Sequence, residues 1–256
     1  KWTHGFPTVP TMDLAIHPRE HDLIIGTFGR AIWILDDIRP LREATSLGAD
    51  KLMEKELHLF SIPDATNAII GPYWGYRSTG HGMFFGENKP FSAAINFYVK
   101  EKKGRVKMEI SDANGEVIRT RYFTPDQGLN RVYWGFETDG VRRPGQRKPT
   151  GEEVTPPGGY DALPGTYTVK LTYNGTSASG TLNLLKDERV EWDMPALEEK
   201  QRFITQYNAL VTEMTEAVDR LTEAQQIVSR VEVLDEDNEE LRKKSGQVKK
   251  ELAALR

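Results

Sequence analysis

Apolar and polar residues alternate most clearly in two stretches, and the rest of the chain is read around them. In Gly128-Leu-Asn-Arg-Val-Tyr-Trp134 the apolar positions are Leu129, Val132 and Trp134. In Leu163-Pro-Gly-Thr-Tyr-Thr-Val-Lys-Leu171, Tyr167, Val169 and Leu171 alternate with Thr166, Thr168 and Lys170. A period of two puts one set of side chains on a buried sheet face and the other in water. Further strands are predicted at Ser92–Val99, Val106–Ile110, Glu116–Phe123, 166–173 and 178–185. Val106, Met108 and Ile110 point inward in the second of these. Turn chemistry separates them: Lys100–Gly104 is a charged hairpin turn, and Asn114-Gly115 and Asn174-Gly175 supply the positive φ of tight hairpins. About seven short strands so bounded predict an antiparallel β-sandwich over residues 90–188. Trp134 fills its core and Pro164-Gly165 turns its last corner.

The first sixty residues carry a second β pattern. Leu14-Ala-Ile-His17 is a strand stopped by Pro18. Leu23-Ile-Ile25, the turn Gly26–Arg30, and Ala31-Ile-Trp-Ile-Leu35 follow, closed by Asp36-Asp37. Ile32 and Ile34 alternate with Trp33 and Leu35, so both faces of this strand are apolar and burial on both sides is expected. Residues 41–57 read as one or two short helices, and Leu57–Phe60 as a strand ended by Pro63. Residues 61–89 form a connector rich in glycine and aromatics, whose rings pack at a domain junction or form a sugar-stacking platform. From Pro195 the period becomes helical. Phe203, Tyr207, Leu210, Met214, Leu221, Ala224, Val228 and Val231 recur at spacings of three and four, giving an amphipathic helix of about ten turns. Asp235-Glu-Asp-Asn238 interrupts it, and Asp237 or Asn238 caps a second helix through Leu241, Val248 and Leu252. Residues 195–256 are therefore a helical hairpin, or else half of a coiled coil.

Two segments resemble known families. Asp13–Arg19 followed by Asp22–Asp36 resembles the closing blade of bacterial sortilin-like or Asp-box (neuraminidase-repeat) β-propellers, often described as glycosyl hydrolases. The likeness covers residues 6 to 41. The Asp-box itself, Ser-x-Asp-x-Gly-x-Thr-Trp, is absent. The order strand, Asn-Gly turn, strand, Gly-Leu-Asn-Arg-Val-x-Trp, loop, Leu-Pro-Gly-Thr-Tyr-Thr-Val-x-Leu over residues 95 to 186 resembles the immunoglobulin-like domain of the flagellar hook-capping type. These resemblances imply a mainly β chain with a C-terminal helical hairpin: a partial propeller blade over 1–60, an immunoglobulin-like antiparallel β-sandwich, and long amphipathic helices. They also imply an exported protein, with upstream propeller blades as partners within the same chain. The role implied is a non-catalytic scaffold and interaction region. A glycan-acting hydrolase with its active site on the propeller, and a carbohydrate-binding module, are the alternatives.

Composition narrows the chemistry. Net charge is −4, and no Lys/Arg run is interleaved with aromatics, so no nucleic-acid partner is expected. The absence of cysteine excludes disulfides, thiolate metal sites and a cysteine nucleophile. No apolar run approaches the roughly 18 residues of a spanning helix. Lys1-Trp2-Thr3-His4 shows neither a start Met nor a signal-like segment, which suggests a piece of a longer protein cut on its N-terminal side. Arg30 is a candidate anion or sugar ligand at a propeller mouth, or a turn residue bonding blade to blade. Tyr73, Trp74 and Tyr76 are the candidate sugar platform. Arg142 and Arg143, with Arg147 and Lys148, form a basic patch for an acidic partner or polysaccharide, on a loop otherwise expected to be solvated and mobile. Another protein or chain is a candidate partner for the helical tail.

Asp13, Asp36 and Asp37 are the blade-region carboxylates available for a glycosidase pair, which needs a separation of about 5 to 10 Å. His17 and His21 are separated by Pro18 and share no helical face. Asp112-Ala-Asn114-Gly115 begins like a calcium loop, but Phe123 stands where the bidentate Glu belongs. No cofactor or metal site is expected.

Overall fold

A computed structural model describes residues 5–68, 89–234 and 238–254. The chain is mainly β with a C-terminal helix pair. It divides into two compact units, one comprising residues up to Phe136 with Leu163–Glu191, the other Glu137–Ala162 with the residues from Trp192 on.

The first unit begins with an antiparallel meander of β1 (Thr11–Ile16), β2 (Leu23–Thr27) and β3 (Ile32–Leu35). Its register places Leu14, Ile25 and Trp33 side by side on one face, and Ala15, Ile24 and Ile34 on the other. Both faces are apolar, as the sequence pattern requires, but the expected burial on both sides is not observed. Ile25 is buried, whereas Leu14, Ile32 and Ile34 remain 58%, 69% and 61% exposed. The described residues lay no further sheet over these strands.

α1 (Arg39–Leu47) and α2 (Ala49–Met53) follow, then two three-residue strands, β4 (Leu57–Leu59) and β5 (Ala65–Asn67). The main body adds β6 (Ala93–Val99), β7 (Val106–Ser111), β8 (Val117–Phe123) and β9 (Gly128–Trp134). After β10 (Glu137–Asp139) and β11 (Gly158–Asp161), which belong to the second unit, it is completed by β12 (Gly165–Tyr173) and β13 (Thr176–Lys186). One sheet has the order β4-β6-β9 and the other β5-β13-β12-β7-β8, and the β structure includes a sheet curled like half a barrel. Among the described residues all pairings are antiparallel except β5 with β13. Asn174-Gly175 closes β12 onto β13 in a two-residue loop with both residues at positive φ, as a tight hairpin demands.

Alternation accounts for the core. Val106, Met108 and Ile110 of β7, Val169 and Leu171 of β12, Leu182 of β13 and Ile95, Phe97 and Val99 of β6 are fully buried. The sheets meet through Phe97 against Phe123, with ring centroids 5.8 Å apart, and Trp134 against Tyr167 at 5.4 Å. β6 is buried along its whole length. The outer side chain Tyr98 lies under Leu52 and Phe60, with Ala44 and Leu47 packed around them. The helices thus cover the outer face of the small sheet.

In the second unit, α3 (Met194–Leu234) is capped by Asp193, whose side chain accepts the Ala196 N–H at 3.1 Å. Asn238 caps α4 (Glu239–Ala254), accepting the Leu241 N–H at 3.0 Å, and α4 packs on α3. The segment 137–161 is exposed over residues 143–153, as a solvated loop would be, but it is tied down elsewhere. Its ends pair as β10 and β11, and it is fastened to α3. Thr215, 4% exposed, donates to the Arg142 carbonyl at 2.9 Å, and Gln201 donates to the Asp161 carbonyl at 3.2 Å.

Close backbone approach makes two glycines obligatory here. A Cβ on Gly140 would lie 2.4 Å from the Gly158 carbonyl oxygen, and one on Gly159 would lie 2.6 Å from Thr138 Oγ1. Gly159→Ala should therefore open the β10–β11 pair at a cost of about 1–3 kcal/mol. Hydrogen exchange of residues 137–161 should rise while far-UV helicity is kept; unchanged protection would refute the account.

Candidate functional site

A cleft of about 220 Å³ in the first unit lies where the β1–β3 meander runs into α1 over the outer face of β6 and β9. Asp37, at positive φ (47°) and 3% exposed, turns the chain between strand and helix. Its N–H donates to Asp22 Oδ1 at 2.8 Å, and its Oδ1 accepts Arg39 Nε at 2.6 Å. Arg131 reaches across from β9. Its Nε donates to Asn96 Oδ1 at 2.7 Å, and one terminal nitrogen donates to the carbonyls of Asp36 and Asp37, each at 3.0 Å. One guanidinium therefore ties the exit of the meander to the centre of the small sheet. Asp37 Oδ2 and Asn96 Nδ2 are buried without a hydrogen-bond partner. The arrangement is built for holding two elements in register: a planar fork matched to two carbonyls and an amide oxygen.

A second polar cluster escaped the sequence reading. Glu43 of α1 accepts the Ser61 N–H (3.0 Å) and hydroxyl (2.7 Å) on Oε2, and its Oε1 lies 3.2 Å from His58 Nε2. Lys55 Nζ lies 3.2 Å from His58 Nδ1. His58 also packs edge-on against Phe60, with centroids 4.8 Å apart. Partial burial pushes the Glu43 carboxyl up, but the bonds from Ser61 and His58 outweigh it and hold the group below its usual range. Both Ser61 and His58 turn to the carboxylate, so the trio lacks the Ser-to-His hydrogen bond of a nucleophilic triad. Its effect is on stability. Because the folded-state pKa is depressed, this contribution is complete above the unfolded-state value, about 4.3, and is lost as pH falls through the lower folded value. Urea unfolding from pH 6 down to pH 3 should show a shallower acid loss in Glu43→Gln than in the native chain; parallel curves would contradict the assignment.

The residues nominated from sequence are placed as follows. Arg30 is exposed in the β2–β3 turn, where its carbonyl accepts the Trp33 indole N–H at 2.8 Å. Tyr73, Trp74 and Tyr76 lie outside the described residues. Arg142 forms a two-pronged ion pair with Asp219 of α3, one prong 3.0 Å from Nη1 to Oδ1 and the other from Nη2 to Oδ2. The hydrogen bonds from Arg142 hold the Asp219 carboxyl below its usual range, and Asp219 raises Arg142 in turn. Lys148 stands 4.0 Å from Glu223. Acidic groups of α3 thus answer much of the basic patch, across a cleft of about 440 Å³ lined by both signs of charge. Arg143 faces a separate groove with Tyr160 and Tyr207.

Asp13 accepts its neighbour's Leu14 N–H at 2.8 Å, and Asp112 accepts the N–H groups of Asn114 and Glu116, both at 2.9 Å. His17 Nδ1 accepts the Glu20 N–H at 3.0 Å. Among the described residues no helix is long and apolar enough to cross a membrane, and no group of three or more His, Asp or Glu side chains is placed to hold a metal ion. No protein-family model matches this chain, and no curated protein matches it at a significant level.

Proposed function

We propose that this chain is a scaffold and interaction region of an exported β-propeller protein. In this reading residues 1–60 supply the closing blade and its exit, the double-sheet body is an immunoglobulin-like module, and the helix pair offers a docking arm. The observation that carries the reading is the β1–β3 meander. Its side chains are apolar on both faces, yet Leu14, Ile32 and Ile34 are more than half exposed. A sheet of that kind is at home between two others, which is the environment of a propeller blade. The immunoglobulin-like reading is supported by the strand order. The entering chain pairs first with the small sheet through β4 and then with the large sheet through β5, alongside the last strand. It is also supported by Tyr167, whose hydroxyl donates to the carbonyl of Leu163 four residues upstream at 2.5 Å, in the manner of the tyrosine corner of such sandwiches.

The test compares contexts. In this chain Ile32→Ser and Ile34→Ser should each change stability by no more than about 0.5 kcal/mol, as exposed substitutions do. In the full-length protein, with neighbouring blades seated on both faces, each should cost about 1.5–3 kcal/mol. Equal, small costs in both contexts would remove the basis for a blade.

A further inference from the structure

We propose that the N-terminal half of α3 is a self-association surface, which pairs antiparallel with the same stretch of a second copy of this chain. The inference rests on the second unit alone and stands or falls independently of the propeller reading.

Phe203, Tyr207, Leu210 and Met214 follow one another at steps of four, three and four along one side of α3, the spacing of a coiled-coil seam. They are 67%, 57%, 54% and 53% exposed. The same seam continues through Leu221, Ala224 and Val228, which are half-buried in the part of the helix that α4 packs against. One half of a continuous apolar stripe is therefore covered by a helix and the other half is bare. The β10–β11 segment borders this half on one side, where Tyr207, Leu210 and Met214 form one wall of an open groove opposite Arg143 and Tyr160, but it leaves them more than half exposed.

Charge selects the occupant. A two-fold antiparallel alignment sets Phe203 against Met214 of the second copy and Tyr207 against Leu210. Every layer then joins an aromatic ring to a thioether or a branched aliphatic chain, and symmetry repeats each layer. Along the edge of the seam, at intervals of seven, stand Glu199, Gln206, Glu213 and Arg220. In the same alignment Glu199 faces Arg220 of the second copy, and Gln206 faces Glu213, so each carboxylate meets a donor. A parallel alignment sets Glu199 against Ile204 and Glu213 against Val218, leaving carboxylates beside apolar side chains with no partner. The stripe is thus complementary to itself in one direction only.

The chain has no cysteine, which makes cross-linking specific. Light scattering on the full chain should give a dimer whose population rises with concentration. Leu210→Glu, at a position already half-exposed, should render it monomeric with its circular dichroism unchanged. Arg220→Glu should weaken the dimer by about tenfold, and adding Glu199→Arg should restore it. Phe203→Cys combined with Met214→Cys should form a covalent dimer on mild oxidation, while Phe203→Cys alone should not. A chain that stays monomeric at high micromolar concentration overturns the proposal. So does a dimer that survives Leu210→Glu, or cross-linking by Phe203→Cys alone, which would report parallel pairing.

Discussion

Trp134→Ala should lower the unfolding free energy by about 3–5 kcal/mol, a large share of the roughly 5–15 kcal/mol that holds an ordinary domain folded. Trp134 ends β9 with no exposed surface, and its ring is met edge-on by Phe136 at 5.6 Å and Tyr167 at 5.4 Å. Removing it leaves a void at a point where the two sheets touch, and close-packed neighbours fill such a space only in part. The strand provides its own control. Leu129, five residues earlier and 50% exposed, should tolerate alanine at a cost under about 1 kcal/mol. Urea titration followed by Trp fluorescence and circular dichroism measures both. A Trp134→Ala chain with a near-native midpoint would mean that the core does not rest on this ring.

Arg131→Ala should cost about 2–4 kcal/mol, because it removes charge-assisted hydrogen bonds and strands their acceptors. The Asp36 and Asp37 carbonyls and Asn96 Oδ1 would all lose the guanidinium at once. Asn96 is 4% exposed and its Nδ2 already lacks a partner, so water is poorly placed to compensate. Arg131→Lys keeps the charge but not the fork, and should recover less than half of the loss. The junction at residues 36–41 should become the first site cut by protease in Arg131→Ala, ahead of global unfolding. A variant with native stability and an uncut junction would show that the meander is held by other means.

Much of this architecture is legible in sequence because the period of apolar residues decides it. Val106, Met108 and Ile110 announce their strand by alternation, and Asn174-Gly175 its hairpin. Pro195, the three-four spacing and Asn238 foretell a long helix, a break and a second helix. Three features were hidden for physical reasons. β5 has three residues, too few to display a period, and it joins a different sheet from β4, the strand expected at Leu57–Phe60. The 137–161 segment carries the Pro and Gly of a solvated loop, and only Arg142, Thr215 and Asp219, brought together by folding, reveal that it is docked. The Glu43, His58 and Ser61 cluster joins residues 18 apart through a helix-to-strand turn, for which no local pattern exists. The β1–β3 meander illustrates a fourth case: two apolar faces are visible in Ile32–Leu35, but the sequence does not say what covers them.

The parallel pairing of β5 with β13 has a mechanical consequence. Ala65 lies beside Leu184 and Asn67 beside Lys186, so the two strands run side by side in the same direction. Tension entering β5 from the N-terminal side and leaving β13 toward the C-terminal side would pull them along their common axis in opposite senses. The ladder would then be loaded in shear, all its bonds strained together, instead of being unzipped one at a time. A module loaded through its two ends in this way would resist traction better than one peeled strand from strand.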